Sequence, residues 1–205
     1  PIHIALEDAF QTPSGRILQD RSLCNALLEE LERQKLEGKL SRSPVADRQD
    51  DNGVEVLLPF ISVLFPSAKI LSLRLPPSVD ALVFAAALSR VSERAGMSDS
   101  LGLVASSDLT HYGPHYGFEP AGRVSSARSW VHEVNDKALL DAIYSQDAEA
   151  VIERALDDSS ACSSGAIAVL VQSMKARTIR LIGRSDSLER GPSPSFVSYA
   201  ALAWE

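Results

Sequence analysis

The sequence predicts an α/β domain with a central, mostly parallel sheet flanked by helices, and three observations carry that prediction. Short aliphatic runs alternate with longer stretches whose apolar residues recur every three to four positions, the two periods that distinguish strands from helices. Residues 69–75, 78–95 and 101–105 read in turn as strand, helix and strand, the order and spacing of a right-handed parallel crossover. The chain has 205 residues and is 45% hydrophobic, enough for one substantial core and short for two ordinary domains, so residues 1–205 are expected to form a single domain.

The elements follow in order. Residues 2–6 open the chain as a short strand, and 10–15, with Thr12-Pro13-Ser14-Gly15, read as a turn. Asp20 is placed to cap a helix over 21–37, where Leu23, Ala26, Leu27, Leu31 and Leu36 fall near helical spacing and Gly38 supplies a stop. Cys24 sits on that helix among leucines, so it is expected to be a packed, inert thiol. Residues 40–53, including Arg48-Gln-Asp-Asp-Asn52, read as a polar surface loop. The apolar run 54–65 holds one charge, Glu55, which either faces solvent or is held by partners, because an unpaired ionised group is costly to bury; the partnered arrangement is the one expected.

Alternation and β preference make 69–75 a strand ended by Pro76-Pro77, and Ser78 starts a helix with Leu82, Val83, Ala86, Ala87 and Val91 as its apolar stripe. After the strand expected over 101–105, residues 115–118 read as a loop. Trp130, Val131, Val134, Ala138, Leu139, Ala142 and Ile143 mark a long amphipathic helix to about 145, with His132 on its solvated side. Helices over 147–156 and 166–174 and strands over 177–182 and 196–204 complete the chain, the last two joined by a polar loop over 184–195.

The net charge of −7 argues against a nucleic-acid surface, which needs clustered Lys and Arg. No apolar stretch reaches the roughly 18 residues of a membrane span and the N-terminus lacks a signal-peptide pattern, so a cytoplasmic location is expected. Two cysteines are too few for a disulfide framework.

Ser106-Ser107-Asp108-Leu109-Thr110-His111-Tyr112 is the most informative stretch. Following a strand over 101–105, it would place Asp108 and His111 at a strand's carboxyl end, where α/β sheets form ligand crevices and where a carboxylate and an imidazole serve proton transfer or metal binding. The same residues also suit a turn or a helix cap. Cys162 lies just before a helix starting near Ser164, whose unpaired N–H groups and dipole favour a thiolate, the form that attacks electrophiles and ligates metals. His111 is its natural partner. There is no H-E-x-x-H, Cys-x-x-Cys pair, Walker loop or G-x-G-x-x-G, so no nucleotide or flavin is expected.

Phe10-x-Thr12-Pro13-x-Gly15, Gly53-Val-Glu55-Val-x-Leu-Pro59-Phe60, the Ser106–Tyr112 stretch, Ala161-Cys162-x-x-Gly165 and Ser198-Tyr199-Ala200-Ala201 together resemble the Memo family, also labelled AmmeMemoRadiSam system protein B. That family is similar in fold to the class III extradiol ring-cleavage dioxygenases. The resemblance implies an extradiol-dioxygenase-like α/β fold with a pocket for a non-haem metal, iron or copper. On the matching positions it implies Cys162 and His111 as metal ligands, and His111, Asp108 and Glu55 as catalytic residues. Two family segments, Pro-His-Ala-Gly-Tyr and Gly-Pro-Ser-His, whose histidines join the cysteine around the metal, do not occur here, and Asn52 stands where the family commonly has His. The chain is therefore expected to be either part of a longer protein or a shortened relative with an incomplete metal site.

Two functions follow as expectations. One is a Memo-like metal protein with redox or dioxygenase-like activity on a small molecule, in which Asp108 orients His111. The other is a non-catalytic binding or partner protein that keeps the fold. A thiol hydrolase or transferase using Cys162 and His111 ranks below both, because nothing identifies an oxyanion hole. If the family's earlier segment is absent, one sheet edge lacks the strands that relatives possess, which predicts a homo-oligomer or an assembly with a chain carrying that segment.

Overall fold

The computed structural model describes residues 1–49 and 52–205; Asp50 and Asp51, which belong to the polar loop expected over 40–53, lie outside the described residues. The chain divides into two compact units, Pro1–Ser106 and Ser107–Glu205, each mixing helices with small sheets.

The first unit runs β1 (His3–Ile4), β2 (Ala9–Thr12), β3 (Gly15–Leu18), α1 (Arg21–Leu36), β4 (Val45–Ala46), α2 (Asn52–Glu55), α3 (Leu58–Leu64), β5 (Leu73–Arg74) and α4 (Val79–Arg94). The turn expected over 10–15 is shorter than that: Pro13 and Ser14 make it, while residues 10–12 belong to β2, which it joins to β3 as a hairpin. There Thr12 Oγ1 accepts from the Ser14 N–H at 3.1 Å and donates to the Gly15 carbonyl at 2.9 Å. Asp20 caps α1 by accepting from the Leu23 N–H at 3.0 Å. Leu23, Leu27 and Leu31, four residues apart, form the buried stripe of α1, which packs on α4, whose own buried residues include Phe84, Leu88 and Val91. Cys24 is buried beside that stripe and burial pushes its thiol up, so it is the packed cysteine that its neighbours foretell.

One charge is drawn into this helix pair. Glu30 is 4% exposed and receives Arg33 at 2.6 Å and Arg90 and Arg94 each at 2.7 Å. Burial opposes ionisation, but the three guanidiniums outweigh it and hold the carboxyl down at about 2.

The second unit runs β6 (His111–Tyr112), α5 (Val124–Trp130), a π turn (Val131–Asn135), α6 (Asp136–Tyr144), α7 (Ala148–Asp157), α8 (Ser164–Ser173), β7 (Ile179–Asp186), a 3₁₀ turn (Ser187–Arg190) and β8 (Phe196–Trp204). Its sheet has the order β6-β8-β7 and is antiparallel throughout. Tyr112, Ala127, Val131 and Phe196 form a buried cluster, and the Tyr112 hydroxyl donates to the Gly122 carbonyl at 2.8 Å and accepts from the Ala121 N–H at 2.9 Å. Gly113 has φ +113°, and a Cβ there would lie 2.6 Å from the Pro194 carbonyl oxygen and the Ser195 Cα, so only glycine fits.

The sheets differ from the sequence expectation. The mostly parallel arrangement is replaced, among the described residues, by small sheets in which β1–β4 is the parallel ladder, and β5 pairs antiparallel with β1. Residues 101–105 form no strand: Val104 is 71% exposed and no ladder partner lies along the run, so β preference has no second chain to act upon. The crossover expected from 69 to 105 is consequently absent, and the strand next to the Asp108 segment is β6 itself. The long helix expected to end near 145 is present but contains the π turn. The loop expected over 184–195 begins later, because β7 extends to Asp186. Among the described residues no helix is long and apolar enough to cross a membrane.

Candidate functional site

Three of the sequence-predicted residues come together in the second unit. The segment carrying Asp108 and the loop carrying Cys162 are stitched reciprocally: the Asp108 N–H donates to Cys162 Sγ at 3.3 Å, and the Cys162 N–H donates to the Asp108 carbonyl at 3.3 Å. Ser107 Oγ adds to the join, lying 3.7 Å from the sulfur and accepting from the Ser163 N–H at 3.1 Å. Cys162 is exposed and precedes α8 by two positions, as its place in the sequence leads one to expect. On the other side of Asp108, its Oδ2 is 3.3 Å from His111 Nε2. Asp108 therefore touches the thiol through its backbone and the imidazole through its side chain.

Strand alternation explains the orientation of this segment. His111 lies opposite Val197 on β8, and residues two apart on a strand share a face, so Tyr199 shares the face of His111. Burial pushes the Tyr199 hydroxyl up, with the charges of Asp108 and Tyr116 adding to it, which places the phenol in the electrostatic reach of the site. The His111 ring stacks obliquely on Tyr116 at 4.9 Å, and His115 meets the same tyrosine edge-on at 5.0 Å. Tyr116 and Tyr199 are the neighbours that the sequence reading did not assign to the site. Tyr199 was signalled by its position in the Ser198–Ala201 block.

Thr110 and Ser198 face the opposite way, into a buried network. Asp136, fully buried, accepts from Thr110 Oγ1 at 2.6 Å and from Ser198 Oγ at 3.0 Å, and its second oxygen faces Arg184 at 3.4 Å. Asn135 Nδ2 donates to Thr110 Oγ1 at 2.9 Å and to the Asp158 carbonyl at 3.0 Å.

His132, expected in solvent, belongs to this network instead. Its side chain is 19% exposed, with Nε2 2.7 Å from Asp186 Oδ2, and the π turn is what carries it against β7. Asp186 is buried and also accepts from Arg128 at 2.6 Å; burial opposes its charge, but His132 and Arg128 hold the carboxyl below its usual range. Over this cluster lies a cavity of about 390 Å³ lined by Arg128, Ser129, His132, Glu133 and Arg184. Both arginines are already paired with the buried aspartates, so the cavity offers no surplus positive charge.

Glu55 lies in the first unit. It is exposed, against the expectation of a partnered carboxylate, because α2 turns it outward at its last position; it lines a cleft of about 460 Å³ with Phe10, Thr12, Pro13, Leu58 and Pro59. Among the described residues, no group of three or more His, Cys, Asp and Glu side chains is arranged to hold a metal ion.

A family model described as Memo-like protein matches residues 1–203. The chain is also similar to a MEMO1 family protein of Caldivirga maquilingensis, with 29% identity over 117 residues, covering 56% of this chain and 38% of that relative. The match thus spans well under half of the relative's length.

Proposed function

The chain belongs to the Memo-like protein family, and from that premise we propose that Cys162, Asp108 and His111 form the binding site of a Memo-type protein that engages a small molecule or a partner. The observation that carries this reading is the double contact of Asp108, which joins an exposed thiol to an imidazole in one cluster. A bound group would meet a nucleophilic sulfur, an imidazole oriented by a carboxylate, and the phenol of Tyr199 at the margin. Non-haem iron or copper is the cofactor the family suggests, but the cluster supplies one thiol and one imidazole as soft or borderline donors. The two-histidine, one-carboxylate set of a ring-cleaving iron site is not assembled among the described residues, so the donors do not fit such a site. The reading retains an extradiol-dioxygenase-like single domain, supported by the family match over 1–203, in a cytoplasmic protein without nucleotide, flavin or nucleic-acid partners.

Titration with iron(II) and with copper(II), followed by metal analysis after desalting, tests this choice. Wild type and Cys162→Ala are expected to retain equally little metal. One equivalent retained by wild type and lost in the variant would overturn the reading in favour of a metal oxidoreductase.

Assembly belongs to the same proposal. Val56, Phe60, Val63, Leu64 and Phe65 are each about 60% exposed or more, an apolar row that association would remove from water. Light scattering of the wild type is expected to give a mass above the 22.1 kDa of one chain. A Phe60→Ser, Val63→Ser double variant is expected to fall to that value, and monomers in both cases would remove the assembly from the proposal.

A further inference from the structure

We propose that Asn135 and Asp136, at the junction of the π turn and α6, are the positioning residues of the Cys162 and His111 site. The inference rests on the reading of Cys162, Asp108 and His111 as one site and extends it to residues that touch none of the three.

Two chain segments must be held in register for that site to exist: the one from Ser107 to His111, and the loop from Asp158 to Cys162. Asn135 is hydrogen-bonded to both, through Thr110 Oγ1 at 2.9 Å and the Asp158 carbonyl at 3.0 Å. Asp136 anchors the first segment through Thr110 Oγ1 at 2.6 Å and Thr110 N–H at 3.4 Å, and anchors β8 beneath it through Ser198 Oγ at 3.0 Å. Both residues are nearly or fully out of solvent, Asn135 at 5% and Asp136 at 0% exposed, so water does not substitute for these bonds.

The π turn makes the arrangement possible. Its hydrogen bond from the Asp136 N–H to the Val131 carbonyl spans five residues, and such turns are frequent at functional sites. Here Val131, Asn135 and Asp136 are all buried while Glu133 and Val134 stay outside. A carboxylate inside a protein is costly to desolvate, and stability alone is served as well by apolar packing. Asp136 and Asn135 together fix one hydroxyl, that of Thr110, whose chain neighbour is His111.

The test uses the reactivity of the one exposed thiol. Thr110→Val keeps the side-chain shape and removes the hydroxyl, leaving Asp136 and Asn135 without their shared partner. The Asp108 N–H that faces the sulfur then shifts, and iodoacetamide alkylation of Cys162, followed by peptide mass spectrometry well below the melting temperature, is expected to slow at least threefold. Thr110→Ser restores the hydroxyl and is expected to react like wild type. Val151→Ala, a buried change on α7 outside the network, is expected to lower the melting temperature while leaving the rate unchanged. A wild-type rate in a folded Thr110→Val, or equal slowing in Val151→Ala, would overturn the proposal. Should Thr110→Val not fold, Ser198→Ala removes one of the donors to Asp136 and decides the matter alike: a slower rate supports the proposal and an unchanged rate refutes it. The metal titration described above does not depend on this rate, so failure of the site reading and failure of its positioning device are told apart.

Discussion

Asp186→Ala is expected to destabilise the protein by about 3–5 kcal/mol, the range for removing one partner from a buried charge cluster. The side chain of Asp186 is fully buried at the end of β7, where it accepts from Arg128 at 2.6 Å, His132 at 2.7 Å and the Leu188 N–H at 3.0 Å. Its loss leaves the half-exposed Arg128 free to turn to water, but strands His132 and uncaps the 3₁₀ turn at Ser187–Arg190. The measurement is the urea midpoint with the slope held common to wild type and variant. A change under about 1 kcal/mol would show that these bonds only replace bonds to water. Asp186→Asn should fall between the two, since it keeps an acceptor and loses the charge.

Acid is expected to act on the first unit through Glu30. Its carboxyl titrates at about 2 in the fold, against about 4.3 in an unfolded chain. The native state therefore binds fewer protons than the unfolded state between these values. The stabilisation is complete above about pH 5 and drains away as the pH falls towards 2. Its size is about 2–3 kcal/mol, less than the full shift implies because the three arginines are substantially exposed and screened. In Glu30→Gln the stability lost between pH 5 and 2.5 is expected to be smaller than in wild type by about 2 kcal/mol. An unchanged slope would mean that other carboxylates, Asp47 and Asp186 among them, carry the acid response.

Helices were legible in the sequence because their cause is local. The stripe of Leu23, Leu27 and Leu31, the Asp20 cap and Gly38 at the stop are enough to specify α1 with little help from the rest of the chain. Strands were not, because a strand is defined by its partner: residues 101–105 have the composition and lack the ladder, while residues 10–12, which read as part of a turn, are strand because β3 lies opposite them. The same distinction runs through the candidate site. Cys162, Asp108 and His111 stood out as chemical types, and their convergence depends on backbone bonds over more than fifty residues that no local pattern encodes. His132 was misplaced because a regular 3.6-residue period puts it on the outer face, and the π turn breaks that period one residue earlier.

That turn also has a bearing on descent. A π turn is an α-helix carrying one inserted residue, so the path between α5 and α6 is one residue longer than the packing of the two helices requires. Loss of that residue would leave both helices seated and close the turn into ordinary α geometry, without the fan of side chains that sends Asn135 and Asp136 inward. Segment length at this point is thus a feature to compare across relatives: one that keeps the extra residue is expected to keep the arrangement around Thr110.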